Sequence, residues 1–259
     1  SFRSTGRGPD DQEIYSVATV TIYQVMGRET GWLALATAFA KVDKNGIINT
    51  KMPPDIIWPP EIPFDEERYK SVLSDVLQRK GKATIVIGDE LVNQEGVPLA
   101  KFYSNVLTDP HGHIEHARVG SFNYADYLAR LSKDLKVKGV RNIKETPLTP
   151  QHIQRVYAKS PIDAQEAYEV GRETVRAILD GQDQVSVVLQ RNNGSTFIRR
   201  VPIEDIGGKV RYVPHWYIDG IRGPTQQFVD EFLYLIGGPN ALPHYPKLDY
   251  SRIITLNRK

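Results

Sequence analysis

Residues 22–41 read IYQVMGRETGWLALATAFAK. An apolar run ends at Val25, gives way to Met26-Gly27-Arg28, and restarts as an alanine- and leucine-rich stretch at Trp32. The Val, Ile, Thr and Tyr content of Ile14–Val25 predicts a buried strand, and Trp32–Ala40 predicts a packed helix. A glycine and an arginine at the junction between them fit two readings. In open parallel sheets, ligands lie beyond the carboxyl ends of strands, near helix starts. A helix start offers unpaired N–H groups and a partial positive charge. Gly27 lets a ligand approach the backbone, and Arg28 offers a planar fork suited to phosphate or carboxylate. Those features suit a small anionic ligand. The same residues also make a tight strand–helix turn with a solvated arginine, and the stretch alone leaves both readings open.

Working outward, Asn45-Gly46 marks a turn. Asp55–Trp58 is a short apolar strand ending at Pro59-Pro60. In PFDEERYKSVLSDVLQRKGK, Asp65 stands as a cap, acids fill the first turn, and bases fill the last turn before Gly81. Tyr69, Val72, Leu73, Val76 and Leu77 fall at helical spacing and define the buried stripe. Ala83–Gly88 follows as a second buried strand. Strand, helix, strand, helix, strand predicts an α/β fold with a parallel sheet flanked by helices.

Residues 92–121 read as irregular. Tyr124–Leu135 predicts a helix, Val140–Thr146 a strand, and Pro150–Tyr157 a short helix. Ser160-Pro161-Ile162-Asp163 is a helix start, with Ser as cap, Pro at the first position and Asp in the first turn. That helix is expected to end near Leu179, before Asp180-Gly181, with Ala164, Ala167, Tyr168, Gly171, Val175 and Ile178 as its inner side. Gln184–Arg191 predicts another strand, and Thr225–Ile236 a late helix after Gly223-Pro224. No Pro/Ser-rich linker splits the chain. The expectation is one domain over 1–259, with 223–259 as a trailing helix and tail.

The balance of 33 basic and 31 acidic residues leaves a formal charge of +2, which gives no ground for a nucleic-acid partner. Cysteine is absent, which excludes disulfides and thiolate metal sites. No apolar run approaches the roughly 20 residues that a membrane helix needs. The N-terminal stretch SFRSTGRGPDDQ lacks the apolar centre of a secretory signal. These features predict a soluble, cytoplasmic protein without a membrane partner.

VMGRETGWLA resembles the sugar-phosphate signature of the phosphofructokinase family, in which Met-Gly-Arg followed by Gly and an aromatic closes over fructose 6-phosphate. Other blocks resemble the family in the same order. WPPEIPFDEERY resembles a segment that ends a strand and opens a helix. TIVIGDEL sits where the family has a strand ending in Glu-Gly. DPHGHIEHARVG resembles a loop of the pyrophosphate-dependent branch, HIQR falls where that branch has Tyr-Leu-Gln-Arg, and IDAQEAYEVGRETVRAILDG and LYLIGGPNALPHYP resemble the following helix and the family's end. The resemblance implies a parallel-sheet three-layer sandwich of the phosphofructokinase type, its substrate-binding half only.

By that resemblance Met26, Gly27, Arg28, Asp89, His152 and Arg155 would bind fructose 6-phosphate. Arg28 would face the sugar or its 6-phosphate, with a charge-stabilising role in transfer. Arg155 would pair with the 6-phosphate. Asp89, where the family has glutamate, would accept from sugar hydroxyls, and His152 replaces a tyrosine. Two positions depart from some relatives: Thr19 replaces a basic residue, and Ala164 a phosphate-binding arginine.

The family's glycine-rich donor loop, its Gly-Gly-Asp motif and its Thr-Ile-Asp-Asn-Asp motif, which carries the catalytic base, are not found here. The catalytic base and most of the Mg²⁺ site are thus expected in a companion chain or N-terminal half, with pyrophosphate or ATP as donor and an oligomer as the assembly. The chain alone is expected to be inactive. The alternative is a non-catalytic structural or regulatory subunit. The run from Asp109 to His116 invites a metal reading, since a His-x-His pair on extended chain turns both rings to one face, and His116 or Asp109 would complete a zinc set. Only His113 lines up with the family, so the expectation is a loop shaping the substrate cleft and no metal ligands.

Overall fold

The structure is a computed structural model and describes residues 5–7, 13–15, 17–103, 106–110, 114, 122–149, 160–192 and 195–241. β1 (Thr5–Arg7) and β2 (Glu13–Tyr15) form a small antiparallel pair. The main sheet holds β3 (Val17–Gln24), β4 (Ile56–Trp58), β5 (Lys82–Ile87) and β6 (Asn142–Leu148) in the order β4-β5-β3-β6. All three pairings are parallel, with Ile57 opposite Val86, Ile22 opposite Ile85, and Val20 opposite Glu145. Pro147, which has no N–H to give a ladder, sits on the edge strand β6.

The alternation of β3 sorts its side chains. Ala18, Val20 and Ile22 are fully buried on one side of the sheet. There they meet Tyr69, Leu73, Val76 and Leu77 of α2 (Glu66–Lys80) and Tyr124, Ala125 and Leu128 of α3 (Tyr124–Lys133). The start and stop of α2 follow its sequence signals. Asp65 Oδ1 accepts from Arg68 N at 2.6 Å, and Gly81 closes the helix in the left-handed conformation at φ 63°. On the opposite side lie α1 (Trp32–Ala36) with the 3₁₀ turn Thr37–Lys41, and α6 (Gln226–Phe232) near the end of the described chain. Ala34, Leu35 and Phe39 pack there with Ile57, Val86, Phe228, Val229 and Phe232. The helix read as the opening of a trailing segment is thus a core element.

The remaining described α-helices and strands are α4 (Pro161–Leu179), the hairpin of β7 (Val185–Asn192) and β8 (Ser195–Pro202), and the single turn α5 (Ile203–Ile206). Ser160 caps α4 by accepting from Asp163 N at 3.1 Å, and Pro161 occupies the first turn, as the sequence predicts. The expected inner side of α4 is overturned. Ala164, Ala167, Tyr168, Gly171, Val175 and Ile178 are exposed, and only Ala177 is buried. The helix turns its carboxylates inward instead, because the hairpin meets it with Arg191 and Arg200.

Candidate functional site

The topology fixes a crevice. After β3 the chain passes to α1 on one side of the sheet, and after the adjacent β5 it passes to α3 on the other. Neighbouring parallel strands whose connections leave toward opposite sides open a gap at their carboxyl ends, the usual ligand position in such sheets. Met26-Gly27-Arg28 follows β3, and Asp89-Glu90 follows β5, so both segments border this gap.

The two segments are tied together. Val25 N donates to Ile87 O at 2.9 Å, Asp89 N donates to Gly27 O at 3.2 Å, and Gly27 N donates to Asp89 Oδ2 at 3.3 Å. The other oxygen of Asp89 accepts from Gln24 Nε2 at 3.4 Å, and Gln24 Oε1 accepts from Ala125 N, the start of α3, at 3.1 Å. Gln24 and Asp89 are both buried, so their polar atoms need these partners. Gly27 adopts φ 129°, and a Cβ there would lie 2.5 Å from Thr30 O. No other residue fits this turn without strain.

The start of α1 departs from the sequence expectation of unpaired N–H groups. Gly31 N donates to both carboxylate oxygens of Glu61, each at 3.0 Å, and Glu61 Oε1 also accepts from Val213 N at 2.9 Å. A Cβ on Gly31 would fall 2.3 Å from Pro59 Cβ, so the glycine permits the close approach of the Pro59–Glu61 segment. Trp32 Nε1 donates to Arg211 O at 2.8 Å, and the Arg211 guanidinium lies 5.5 Å from the Trp32 ring centre. A resident carboxylate already neutralises this short helix start. The anion-attracting group left at the junction is Arg28.

Arg28 is exposed, and its Nη2 donates to Ile114 O at 3.4 Å. Glu90 is half-buried beside it. Burial, followed by the charge of Glu29, pushes its carboxyl up to about 7, with Lys101 and Arg28 opposing and Asp89 adding to the rise. Around neutral pH this carboxyl is therefore divided between an acceptor and a donor form. Tyr124 OH accepts from Ala100 N at 3.1 Å and donates to Leu91 O at 3.4 Å, which holds the connection after Glu90 against α3.

Of the six residues singled out from the sequence, Met26, Gly27, Arg28 and Asp89 come together at this crevice. His152 and Arg155 lie outside the described residues, as do His111, His113 and His116, the predicted helix at 150–157, and the tail beyond 241. Glu90, Gln24 and Glu61 were missed. The Glu61 signal was present as a Pro-Pro-Glu sequence directly after a strand. Gln24, a polar residue amid the apolar run of β3, was a second signal, since a buried amide needs partners. Among the described residues no cluster of three or more His, Asp or Glu could hold a metal ion.

The phosphofructokinase family model matches residues 11–178, which span the whole main sheet from β3 to β6, both crevice segments and most of α4. The chain belongs to the phosphofructokinase family. It is 29% identical over 201 residues to the pyrophosphate–fructose 6-phosphate 1-phosphotransferase of Rhodospirillum rubrum, covering 77% of this chain and 47% of that protein. It is 27% identical over 248 residues to the protein of the same name from Halomonas elongata, covering 90% and 54%. An ATP-dependent 6-phosphofructokinase of Mycobacterium leprae is 26% identical over 196 residues, covering 75% and 49%. The pyrophosphate-dependent phosphofructokinase structure from Marinobacter aquaeolei shares the fold with a TM-score of 0.63 at 24% identity, covering 90% of this chain and 51% of that one. This member of the family spans about half the length of the curated relatives it matches.

Proposed function

We propose that this chain is the sugar-phosphate side of a phosphofructokinase. It holds fructose 6-phosphate for transfer to its 1-hydroxyl from a donor bound elsewhere. The observation that carries this is the Met26-Gly27-Arg28 turn, fixed at the switch point between β3 and β5 with its guanidinium outward. Phosphoryl transfer relies on positioning and charge stabilisation rather than on covalent protein chemistry. Arg28 supplies charge at the crevice mouth. Arg155 and His152 complete the phosphate cradle by resemblance to the family. Pyrophosphate-dependent names among the relatives favour pyrophosphate over ATP as donor. Residues 1–259 act as one sugar-phosphate-binding unit, cytoplasmic and oligomeric as in the family. Among the described residues no helix is long and apolar enough to cross a membrane.

Magnesium accompanies phosphoryl donors, but the described residues do not fit it. Asp89 accepts from Gln24 and Gly27, and among the described residues no group of three or more His, Asp or Glu is placed to hold a metal ion. The donor, its metal and the base toward the sugar hydroxyl are assigned to a portion outside this chain, and the chain by itself is inactive. A second reading, a non-catalytic structural or regulatory subunit, is favoured by the commitment of Asp89 to the turn, which leaves the sugar hydroxyls short of that acceptor. Thermal unfolding in fructose 6-phosphate, fructose and inorganic phosphate separates the two. Under the first reading only fructose 6-phosphate raises the midpoint in proportion to the logarithm of its concentration. No shift with any of the three supports the second.

A further inference from the structure

The polar side chains that border the crevice are mostly committed to the fold. Asp89 accepts from Gln24 Nε2 and Gly27 N, and Gln24 also accepts from Ala125 N. Glu61 takes Gly31 N and Val213 N, and Arg28 donates to Ile114 O. Glu90 differs from all of these. It is half-buried, and its carboxyl makes no hydrogen bond or ion pair with another described residue. A half-buried polar group that the fold leaves without a partner is available to a ligand.

The backbone fixes where that carboxyl stands. Glu90 follows Asp89, whose N–H and side chain are tied to Gly27 across the ends of β5 and β3. Leu99 N donates to Leu91 O at 2.8 Å, which brings the 3₁₀ turn Leu99–Phe102 to the same place. Glu90 therefore lies among the charges of Glu29 and Arg28 from the turn after β3, Asp89 beside it, and Lys101 from the 3₁₀ turn, with Tyr124 of α3 also within reach of its charge. Two cations flank an acid. The cations suit the phosphate of a ligand and the carboxyl suits its hydroxyls. A carboxyl that still holds its proton both gives and accepts a hydrogen bond, and it carries no charge to repel a neighbouring phosphate.

We infer that Glu90, rather than Asp89, binds a ring hydroxyl of the sugar phosphate and makes the crevice selective for the configuration of that hydroxyl. This rests on the function proposed above. Asp89 is the brace that joins the two strand ends, and the residue after it supplies the hydroxyl partner that the brace withholds. Selectivity follows from the lack of a partner inside the chain: a ligand whose hydroxyl points elsewhere leaves the half-buried carboxyl unpaired, and that is costly.

Calorimetric titration with three sugar phosphates tests this. Fructose 6-phosphate is compared with psicose 6-phosphate and tagatose 6-phosphate, which invert its 3- and 4-hydroxyls, on the parent, Glu90→Ala and Glu90→Gln at pH 6. The parent should prefer fructose 6-phosphate over at least one epimer by about tenfold or more, and Glu90→Ala should bind all three within about threefold of one another. Glu90→Gln, which keeps a donor and an acceptor, should retain the preference. Glu90→Ser is a second truncation with the same expectation as Glu90→Ala, and circular dichroism checks that each variant is folded. A residue that only supports the fold would weaken the three ligands alike and leave their ratios unchanged. A parent without preference, or a preference that survives both truncations, would overturn the inference and leave the sugar-phosphate site at Arg28 standing. A parent that binds none of the three would sink that site and this inference together.

Discussion

Asp89 and Gly27 bond to each other twice: Gly27 N donates to the Asp89 side chain at 3.3 Å, and Asp89 N donates to Gly27 O at 3.2 Å. The ends of β3 and β5 are thereby closed into one rigid floor before any ligand arrives. Preorganisation of this kind spares the ordering cost at the moment of binding.

That closure is open to a double-mutant test. Gly27→Ala forces a Cβ against Thr30 O at φ 129° and should cost about 1–3 kcal/mol. Asp89→Ala strips partners from the Gln24 amide and Gly27 N and should cost about 1–3 kcal/mol as well. Urea unfolding of both single variants and the double should show the double losing less than the sum, because each change breaks the same closure.

Glu90 predicts a pH dependence. Its folded-state carboxyl is raised to about 7 from a model-peptide value of 4.5, so the folded chain holds a proton that the unfolded chain has released. The contribution of Glu90 to stability is therefore greatest below the unfolded value and is lost as pH rises toward 7. Glu90→Gln, titrated from pH 5 to 8, should be flatter than the parent over that window and more stable than it at pH 8. Affinity for fructose 6-phosphate should follow, since an ionised Glu90 beside Arg28 competes for the same charge.

Glu61 holds the start of α1 and the segment at Val213 with one carboxylate. Glu61→Ala should lower stability by about 1–3 kcal/mol through two stranded N–H groups. Tryptophan fluorescence reports it locally, because Trp32 is bonded to Arg211 two residues from Val213. Glu61→Gln, which keeps an acceptor oxygen, should recover part of the loss.

The main sheet was legible because its strands and helices carry local signals: the Asp65 cap, the Gly81 stop, and the alternation of β3. Its order was not, since β4 lies at the far edge and only pairing reveals it. β8 was missed although Asn193-Gly194 between two alternating runs is a hairpin signal. The inner side of α4 misled because periodicity marks an apolar stripe without saying which side of the helix packs, and here the ion pairs of Glu166 with Arg191 and Glu173 with Arg200 take the inward side. At the site, Arg28 was readable from its motif, whereas the role of Asp89 as a brace depends on Gly27, 62 residues away.

Leu73 and Tyr168 contrast a stripe buried within this chain with one that is not. Leu73→Ala, in the core beneath the sheet, should cost about 2–5 kcal/mol. Tyr168→Ser should change the stability of the isolated chain by no more than about 0.5 kcal/mol. Thermal denaturation of the two variants checks both values.

Calorimetric titration of fructose 6-phosphate into the parent, Arg28→Ala and Arg79→Ala tests the central claim most directly, the last variant removing an exposed cation at the far end of α2. The parent and Arg79→Ala should bind alike, with Arg28→Ala weaker by about tenfold or more, as the loss of one charge-assisted contact requires. Absence of binding by the parent, or equal affinity in the parent and Arg28→Ala, would contradict a sugar-phosphate site at this turn.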